Sequence, residues 1–323
     1  MMMMTITCYV VSSCVFRIDF TATRLGLKIV YLSGGIGGAK LAKGFYGLND
    51  IDLTIIVNTG DDETIQGVRL SPDIDSVIYA LADIEGEFGW GQKNDSFVVS
   101  EEFKKYLPQE FSIGDKDLAL NLFRNQLFSE GKSLTQITKI ISDKFGLNCK
   151  IFPMTDNLVS TKLKTTENKL LDFQEYFVEL KSEPDLRDVV YLNSEDADIT
   201  NEVSRAIEKA DKIVIGPSNP ILSIGPILSI KNLKEKLIND DTTYIVSPFI
   251  QDKAIKGPSK KNFEDLGYKS DISGIKKFYD YVGNFYIVHN GDSDGAENTI
   301  ETNILFKSIE DSINLAKFII DHE

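Results

Sequence analysis

The sequence predicts an α/β fold, a doubly wound, Rossmann-like and mostly parallel sheet with a helical insert and a small β-rich subdomain. Two observations support this fold class. Short, nearly continuous apolar runs, the pattern of strands that are buried on both faces, recur along the 323-residue chain. The first two runs end directly in loops rich in glycine or aspartate. Ligands of doubly wound sheets bind beyond the carboxyl ends of the strands, so these loops predict a ligand site.

The first core strand is predicted to begin at about Leu27 and to run into a glycine-rich loop. The loop residues expected to contact an anion are Ser33, Gly34, Gly35, Gly37, Gly38 and Lys40. Glycine amides approach an anion closely, and the N-terminus of the following helix adds partial positive charge. The loop matches neither the Walker pattern nor the dinucleotide pattern, which would need glycine in place of Lys40. It is interpreted as a phosphate or diphosphate site, the alternative being an ordinary turn between strand and helix.

The second apolar run, residues 53–57, ends in a loop that carries Asn58, Thr59, Asp61 and Asp62. If the two runs are adjacent parallel strands, both loops open on the same edge of the sheet. Two adjacent carboxylates beside a phosphate loop indicate Mg²⁺, which proteins usually hold with one or two carboxylates, waters and substrate phosphate oxygens. In the alternative interpretation, Asp61 caps the next segment and Asp62 is solvated.

The rest of the chain alternates helix and strand patterns. Apolar spacing predicts helices at 115–130 and 197–210, and a capping box of Ser133 and Gln136 predicts a helix that runs to about residue 146. Strands are predicted at 149–153, 176–180, 212–215, 243–246 and 285–288, with a hairpin over 158–171. The predicted domains are a non-core N-terminal extension over residues 1–26 and a single α/β domain over 27–323, with an insert at about 92–180.

Composition excludes several classes of function. A net charge of −14 argues against a nucleic acid partner, because binding to a phosphate backbone needs a basic surface. The chain has only two histidines, His289 and His322, so catalysis by a histidine nucleophile is nearly excluded. Any general base is then expected from the aspartates of the loops and of the segment that follows them. The candidates are Asp61, Asp62, Asp73 and Asp75.

The N-terminal extension and the cysteines bear on the compartment. Residues 1–26 are moderately apolar but lack a basic leading region, and Arg17 and Asp19 interrupt them, so neither a signal peptide nor a membrane span is predicted. No membrane partner is expected. The three cysteines lack Cys-x-x-Cys spacing, which favours a reduced cytoplasm.

A set of short blocks in fixed order resembles the 2-phospho-L-lactate transferase family of coenzyme F420 biosynthesis. The blocks are residues 33–40, 58–62, 71–76, 89–91, 114–119, 153–156, 174–178, 216–220, 247–248 and 256–258. Their shared order is far more specific than any single block. The chain departs from the family pattern at residues 63–66, where the family often has aromatics and a histidine, and at Asn121, where it often has histidine. Both departures concern the acceptor pocket.

The resemblance implies a Mg²⁺-dependent transfer without an enzyme-bound phosphate. Family members move a 2-phospholactyl group, or its phosphoenolpyruvyl relative, from a guanosine diphospho-linked donor to the hydroxyl of the deazaflavin Fo, and they release GMP. It also implies a homodimer. Asp61 and Asp62 are the implied catalytic and metal-binding residues. The implied substrate-binding residues are Ser33, Gly34, Gly35, Gly37, Gly38, Lys40, Asn58, Thr59, Asp73, Asp75, Trp90, Asp115, Pro217, Ser218, Asn219, Ser247 and Lys256.

Some of these residues also have structural interpretations. Pro217 could simply end strand pairing, although the hydroxyl and amide groups that follow it favour contact with the donor nucleotide. Trp90 either stacks on the deazaflavin or covers the core at a turn. Lys256 either contacts a phosphate or belongs to an ordinary turn.

Two other functions compete with the transferase. The first is a nucleotide- or sugar-nucleotide-binding regulatory protein of the same fold, which would not need the retained aspartates. The second is a nicotinamide dehydrogenase, which the missing third glycine and the doubled aspartate oppose.

Overall fold

The computed structural model describes residues 26–322, except positions 88, 108–111, 252, 255–257 and 281. Residues 1–25 of the predicted N-terminal extension therefore lie outside the described residues. The strands of the described part are β1 (Leu27–Ser33), β2 (Ile51–Val57), β3 (Glu63–Ile65), β4 (Val68–Leu70), β5 (Lys150–Pro153), β6 (Ser160–Thr165), β7 (Leu170–Asp172), β8 (Leu186–Leu192), β9 (Lys212–Ile215), β10 (Thr243–Val246), β11 (Phe249–Ile250), β12 (Lys253–Ala254), β13 (Phe285–His289) and β14 (Thr299–Thr302).

Helices connect most of these strands. They are α1 (Gly35–Tyr46), α2 (Pro72–Leu81), α3 (Val98–Phe103), α4 (Asp115–Ser129), α5 (Leu134–Lys144), α6 (Asn201–Glu208), α7 (Gly225–Ser229), α8 (Lys231–Leu237), α9 (Ser259–Asp265), α10 (Ile272–Tyr279) and α11 (Ile309–Asp321). Two single π-helical turns, Glu175–Glu179 and Pro220–Ile224, complete the set.

Seven strands form one sheet in the order β14-β13-β10-β9-β1-β2-β5, and every neighbouring pair is parallel. Alternate residues of each strand face opposite sides, so Val30 packs into one core and Tyr31 into the other. Helices α1, α2, α4, α5 and α11 cover the Tyr31 side. Helices α6 to α10 and a three-stranded sheet, ordered β7-β6-β8, cover the Val30 side. The predicted α/β, doubly wound fold class is confirmed.

The order in which the chain adds strands to the sheet reverses at β1. Its neighbour β2 leads outward to β5, whereas β9 lies on its other side and leads to β10, β13 and β14. The loops that leave β1 and β9 therefore diverge to opposite faces and open a crevice at their carboxyl ends. This is the place where doubly wound sheets bind their ligands.

Most predicted elements are confirmed. The strands predicted at 149–153, 212–215, 243–246 and 285–288 correspond to β5, β9, β10 and β13, and the predicted hairpin corresponds to β6 and β7. The helix predicted at 197–210 is shorter, because Thr200 accepts a hydrogen bond from the Val203 amide and caps α6. The division into domains stays a prediction. Within the expected insert, β5 pairs with β2 in the central sheet.

The strand predicted at 176–180 is wrong, because these residues form part of a π-helical turn. Phe177 stacks on Phe173 four positions earlier, with ring centroids 5.5 Å apart, a spacing that a helical backbone provides and a strand does not. Tyr176 is buried, and its hydroxyl accepts a hydrogen bond from Asn262 Nδ2 at 2.7 Å. The third strand of the small sheet is β8 instead.

No helix among residues 26–322, within the described ranges, has both the length and the apolar character needed to cross a membrane.

Replacement of Ser133 by Ala is expected to lower the free energy of unfolding by about 1 kcal/mol, because Ser133 Oγ accepts from the Gln136 amide at 3.4 Å and the Ser133 amide donates to Gln136 Oε1 at 3.2 Å. Urea unfolding measures the change. Ser129→Ala at the exposed end of α4 is the control, with an expected change within about 0.5 kcal/mol. Equal effects of the two substitutions would contradict the capping role.

Candidate functional site

Three loops meet beyond the carboxyl ends of β1, β2 and β9. Gly34 follows β1, Asn58 follows β2, and Ser218 lies in the loop after β9. The Gly34 amide donates a hydrogen bond to Ser218 Oγ at 3.2 Å, and the Asn58 amide donates one to the Ser33 carbonyl at 3.0 Å. The glycine loop and the aspartate loop therefore open on one edge of the sheet, as their sequence order predicted.

Close packing explains why residues 34 and 38 of the first loop are glycines. A Cβ on Gly34 would lie 2.8 Å from Asp73 Oδ2, and one on Gly38 would lie 2.4 Å from the hydroxyl oxygens of both Ser33 and Ser218. Side chains at these positions would push the loops apart. Ser33 Oγ, which borders this contact, is buried and has no hydrogen-bond partner. It is a polar atom available to a ligand at this edge.

The N-terminus of α1 already holds a carboxylate. Gly35 has a φ of +61°, which favours glycine, and its amide donates a hydrogen bond to the side chain of Asp73. The amide of Gly37, in the first turn, has no acceptor within α1 and remains directed toward the crevice end of the helix. Lys40 lies on the exposed side of α1. A phosphate at this helix end would therefore share it with Asp73.

One amide side chain connects the aspartates. Asn58 Nδ2 donates to Asp73 Oδ2 at 2.9 Å and lies 3.3 Å from Asp61 Oδ1, while Asn58 Oδ1 accepts from the Gly60 amide at 2.8 Å. All three polar side chains are buried. Asn58 therefore positions two carboxylates rather than facing solvent.

Asp62 is oriented by a different partner. Ser71 Oγ donates to Asp62 Oδ2 at 2.7 Å, and the guanidinium of Arg69 lies 3.8 Å from the same oxygen. The other oxygen, Asp62 Oδ1, is buried and has no hydrogen-bond partner. A buried carboxylate oxygen without a donor is costly, so Asp62 Oδ1 is the atom at this site that most needs a cation or a ligand.

Asp75 is held by a buried ion pair. Both of its oxygens accept hydrogen bonds from the Arg124 guanidinium, which also contacts Asn121 Oδ1. Arg124 is only 1% exposed, and the pair joins α2 to α4. This carboxylate is neutralised within the protein, unlike those of Asp61 and Asp73.

Burial shifts the protonation of the cluster. Burial, and then the charges of Asp73 and Asp62, raise the pKa of Asp61 well above its ordinary value. Burial also raises the pKa of Asp62 to about 7, although the Ser71 hydrogen bond and the Arg69 charge oppose the shift. The pKa of Asp73 rises to about 6 for the same main reason. Burial is the main cause of all three shifts, so each carboxylate is shielded from the water that would otherwise stabilise its charge.

The residues present fit Mg²⁺. Asp61 and Asp62 lie next to each other, and Asp62 Oδ1 is free to coordinate. In the described residues, no three His, Cys, Asp or Glu side chains form a cluster that could hold a metal by themselves. A site of one or two carboxylates that is completed by waters and substrate phosphate is the mode Mg²⁺ commonly uses.

Two cavities lie at this edge of the sheet. The first, which we call the β6 cavity, measures about 150 Å³ and lies between residues 60–63 and a wall of Ser160, Lys162, Asp172 and Phe173. The second measures about 280 Å³ and lies beyond β10 and β13, and Ser247 is one of its lining residues.

Three further predicted residues have structural contacts. Thr59 is buried in the aspartate loop, and its hydroxyl has no hydrogen-bond partner. Asn219 caps the second π-helical turn by accepting from the Ile221 and Leu222 amides. Pro217 lies against the glycine loop, where its carbonyl would be 3.1 Å from a Cβ on Gly37.

Two other predicted residues, Trp90 and Asp115, lie between α2 and the first turn of α4. Asp115 accepts hydrogen bonds from the Ser96 hydroxyl and from the Val98 and Val99 amides, which lowers its pKa and fixes the start of α3. Trp90 is 51% exposed. Lys256 lies outside the described residues.

Sequence reasoning missed three residues of this site. Ser71, Arg124 and Lys162 orient or border the aspartates, but none was singled out. Arg124 had a signal, since it lies on the buried face of α4 between Asn121 and Leu127, where a charge needs a partner. The sequence has no such signal for Lys162, because it occupies one of the half-buried positions in a strand whose residues alternate between buried and half-buried.

Comparisons with known proteins identify the family of this chain. The family model described as 2-phospho-L-lactate transferase CofD matches residues 29–304. The 2-phospho-L-lactate transferase of Methanococcus vannielii is 38% identical over 307 residues, which cover 92% of this chain and 98% of the relative. The enzyme of that name from Methanocaldococcus jannaschii is 37% identical over 303 residues, or 91% and 97% of the two chains.

A solved structure supports the fold alone. A member of the UPF0052 family from Bacillus halodurans has a TM-score of 0.63 at 15% identity, and the match covers 91% of this chain and 99% of that one.

The family resemblance that the motif blocks suggested is confirmed, because the family match spans the glycine loop, the aspartates and the later blocks. The relatives carry the name of a transferase, so the predicted enzyme class is confirmed as well, and the chain belongs to the 2-phospho-L-lactate transferase family.

Proposed function

We propose that this protein transfers a 2-phospholactyl group from a guanosine diphospho-linked donor to the hydroxyl of the deazaflavin Fo, releasing GMP and forming F420-0. A phosphoenolpyruvyl donor is the related substrate. Membership of the 2-phospho-L-lactate transferase family supports the class of reaction. The proposal extends it to this donor, to Fo, to Mg²⁺ and to a cytoplasmic homodimer.

The observation that carries the proposal is the buried oxygen Asp62 Oδ1, which lacks a partner within a cluster of carboxylates beside the glycine loop. A protein that only binds nucleotides has no need to bury several repelling carboxylates together. Phosphoryl transfer does need such a site, because its catalysis depends on positioning and on charge stabilisation. The regulatory-protein alternative lacks a comparable observation.

In the proposed reaction, the acceptor hydroxyl oxygen forms a bond to the donor phosphorus that carries the lactyl group. The bond from that phosphorus to the bridging oxygen breaks, and GMP leaves with the electron pair. Mg²⁺, held by Asp61 and Asp62, supplies positive charge to the phosphate oxygens when it is bound. Asp73 accepts the hydroxyl proton, because Asp61 and Asp62 are assigned to the cation and Asp73 lies beside the glycine loop, where its Oδ2 would be 2.8 Å from a Cβ on Gly34. Gly35 and Asn58 orient Asp73 by hydrogen bonds.

Product analysis tests the proposal. Purified protein is incubated with Fo, Mg²⁺ and either the lactyl or the enolpyruvyl donor, and the products are identified by mass. We expect GMP and the corresponding F420 precursor in equal amounts. Folded protein that forms neither product from either donor would contradict the proposal.

The substitutions Asp61→Asn and Asp62→Asn are each expected to lower the rate of transfer at least about 100-fold, because each removes a charge directed at the reacting phosphate. Steady-state kinetics measures the rate, and circular dichroism checks the fold. Asp50→Asn is the matched control, since Asp50 lies before β2 at the opposite edge of the sheet and has a φ of 65°, which asparagine accepts. Full activity in both site variants would reject the metal assignment.

The raised pKa values predict how stability depends on pH in metal-free protein. An aspartate with a pKa near 6 or 7 when folded and about 3.9 when unfolded holds its proton longer in the folded state, so its contribution to stability falls as the pH rises through this interval. Asp73→Asn removes one such group. We expect its melting temperature in chelator to exceed that of the wild type by a margin that grows from about pH 4 to about pH 6 and is constant above about pH 7. A margin that does not change with pH would contradict this account.

The direct displacement predicts inversion at phosphorus. The chain offers no histidine or serine nucleophile in a recognised setting, so one displacement by the acceptor hydroxyl is expected. Transfer from a donor that is chiral at this phosphorus measures the outcome. Retention of configuration, or a covalent adduct that Fo then discharges, would show two displacements and assign an aspartate as the nucleophile.

A further inference from the structure

We propose that Lys162 binds the carboxylate of the three-carbon acid carried by the donor, and that the β6 cavity is the subsite for this group. The inference rests on the proposed function and deepens it. Among the described residues that line this cavity, Lys162 is the one positively charged side chain, and it faces four carboxylates, those of Asp61, Asp62, Glu63 and Asp172. Residues 60–62, the opposite wall, belong to the loop of the reacting centre.

The position of the cavity suits the group nearest the reacting phosphorus. In a 2-phospholactyl donor the phosphorus is attached through the oxygen on C2, so the carboxylate lies only a few bonds from it. A group that short has to be bound beside Asp61 and Asp62 if these residues act at the phosphate. The β6 cavity borders both residues, whereas the larger cavity is lined by residues of the β10 and β13 ends.

The size of the cavity selects a small group. Its volume of about 150 Å³ is well below the roughly 300–1,000 Å³ of pockets that enclose drug-sized ligands. A lactyl group is of the size of this space, whereas the tricyclic acceptor or a guanosine would extend well beyond it. Lys162 and the Ser160 hydroxyl suit a carboxylate, and the Phe173 ring suits the methyl group. Because the other charged lining residues are acidic, a carboxylate here depends on Lys162 and on the cation of the proposed function.

Lys162 is held in place from two sides. Its ammonium group forms an ion pair with Asp172 on the paired strand β7, and its charge also stabilises the nearby carboxylate of Glu63. The side chain is 24% exposed, so its charge is partly shielded from water. An ammonium group has three donors, and its pair with Asp172 leaves capacity for a ligand carboxylate.

The backbone fixes the distance between this strand and the aspartates. The Thr161 amide donates a hydrogen bond to the Gly60 carbonyl at 2.7 Å, which joins β6 to the aspartate loop. A Cβ on Gly60 would lie 2.7 Å from Thr161 Oγ1, so only glycine permits this approach. Lys162 follows directly, and its position relative to the reacting centre is thereby set.

The test combines a change in the enzyme with a change in the donor. Lys162→Met is compared with the wild type on the lactyl donor and on an isopropyl donor, in which a methyl group replaces the carboxylate. We expect the wild type to prefer the lactyl donor by roughly 10- to 100-fold in kcat/KM, and Lys162→Met to lose most of this preference. The loss should appear mainly in the KM for the lactyl donor, because the contact exists before and during the transfer.

Two further variants separate binding from structure. Lys164→Met lies two residues along β6 on the same side of the strand and outside the cavity, and it should keep the full preference. Asp172→Asn removes the ion pair but not the ammonium group, and it also removes a carboxylate from the cavity wall, so its preference for the lactyl donor should be at least that of the wild type. If Asp172→Asn abolishes the preference as Lys162→Met does, Lys162 only holds the hairpin together.

The remaining outcomes are distinct. Equal losses on both donors in Lys162→Met, or a full preference retained in that variant, would overturn the inference while leaving the proposed function in place. A wild type that transfers from neither donor would overturn the proposed function, and this inference with it.

Discussion

The burial of three carboxylates in one crevice is the constraint on which the rest of this site depends. Asp73 and Asp62 both repel the charge of Asp61, and all three carboxylates are shielded from water, so their neighbours have to compensate. The Asn58 side chain donates a hydrogen bond to Asp73 and lies close to Asp61. The Ser71 hydroxyl donates a hydrogen bond to Asp62. The remaining deficit of positive charge makes the crevice suitable for a divalent cation and a phosphate substrate.

Topology brings the components together. The glycine loop after β1, the aspartate loop after β2 and the Ser218 loop after β9 meet because β1 lies between β2 and β9 in the sheet. Glycines at these contacts serve packing as much as anion binding, since Cβ atoms at Gly34, Gly38 and Gly60 would collide with neighbouring loops. The hydrogen bond from Thr161 then fixes the small sheet against the same edge.

Much of this arrangement could be predicted, because its main features are continuous in sequence. The first two strands and their loops can be recognised in the sequence as apolar runs that are followed by glycines or aspartates. Arg124 offered only the signal of a charge on an apolar helix face, and its partner could not be identified because Asp75 lies 49 residues away. Strand β8 was missed because most of its side chains are exposed or half-buried, so it lacks an apolar run. The π-helical turn was missed because its Tyr-Phe-Val sequence resembles a strand, and the contacts with Phe173 and Asn262 that hold the turn cannot be seen in the sequence.

The position of the cation tests the central claim most directly. Crystals grown with Mn²⁺ and GDP would locate the metal by its anomalous scattering. The account predicts one peak about 2 Å from carboxylate oxygens of Asp61 and Asp62, including Asp62 Oδ1. A peak bound elsewhere, with both carboxylates uncoordinated, would contradict it.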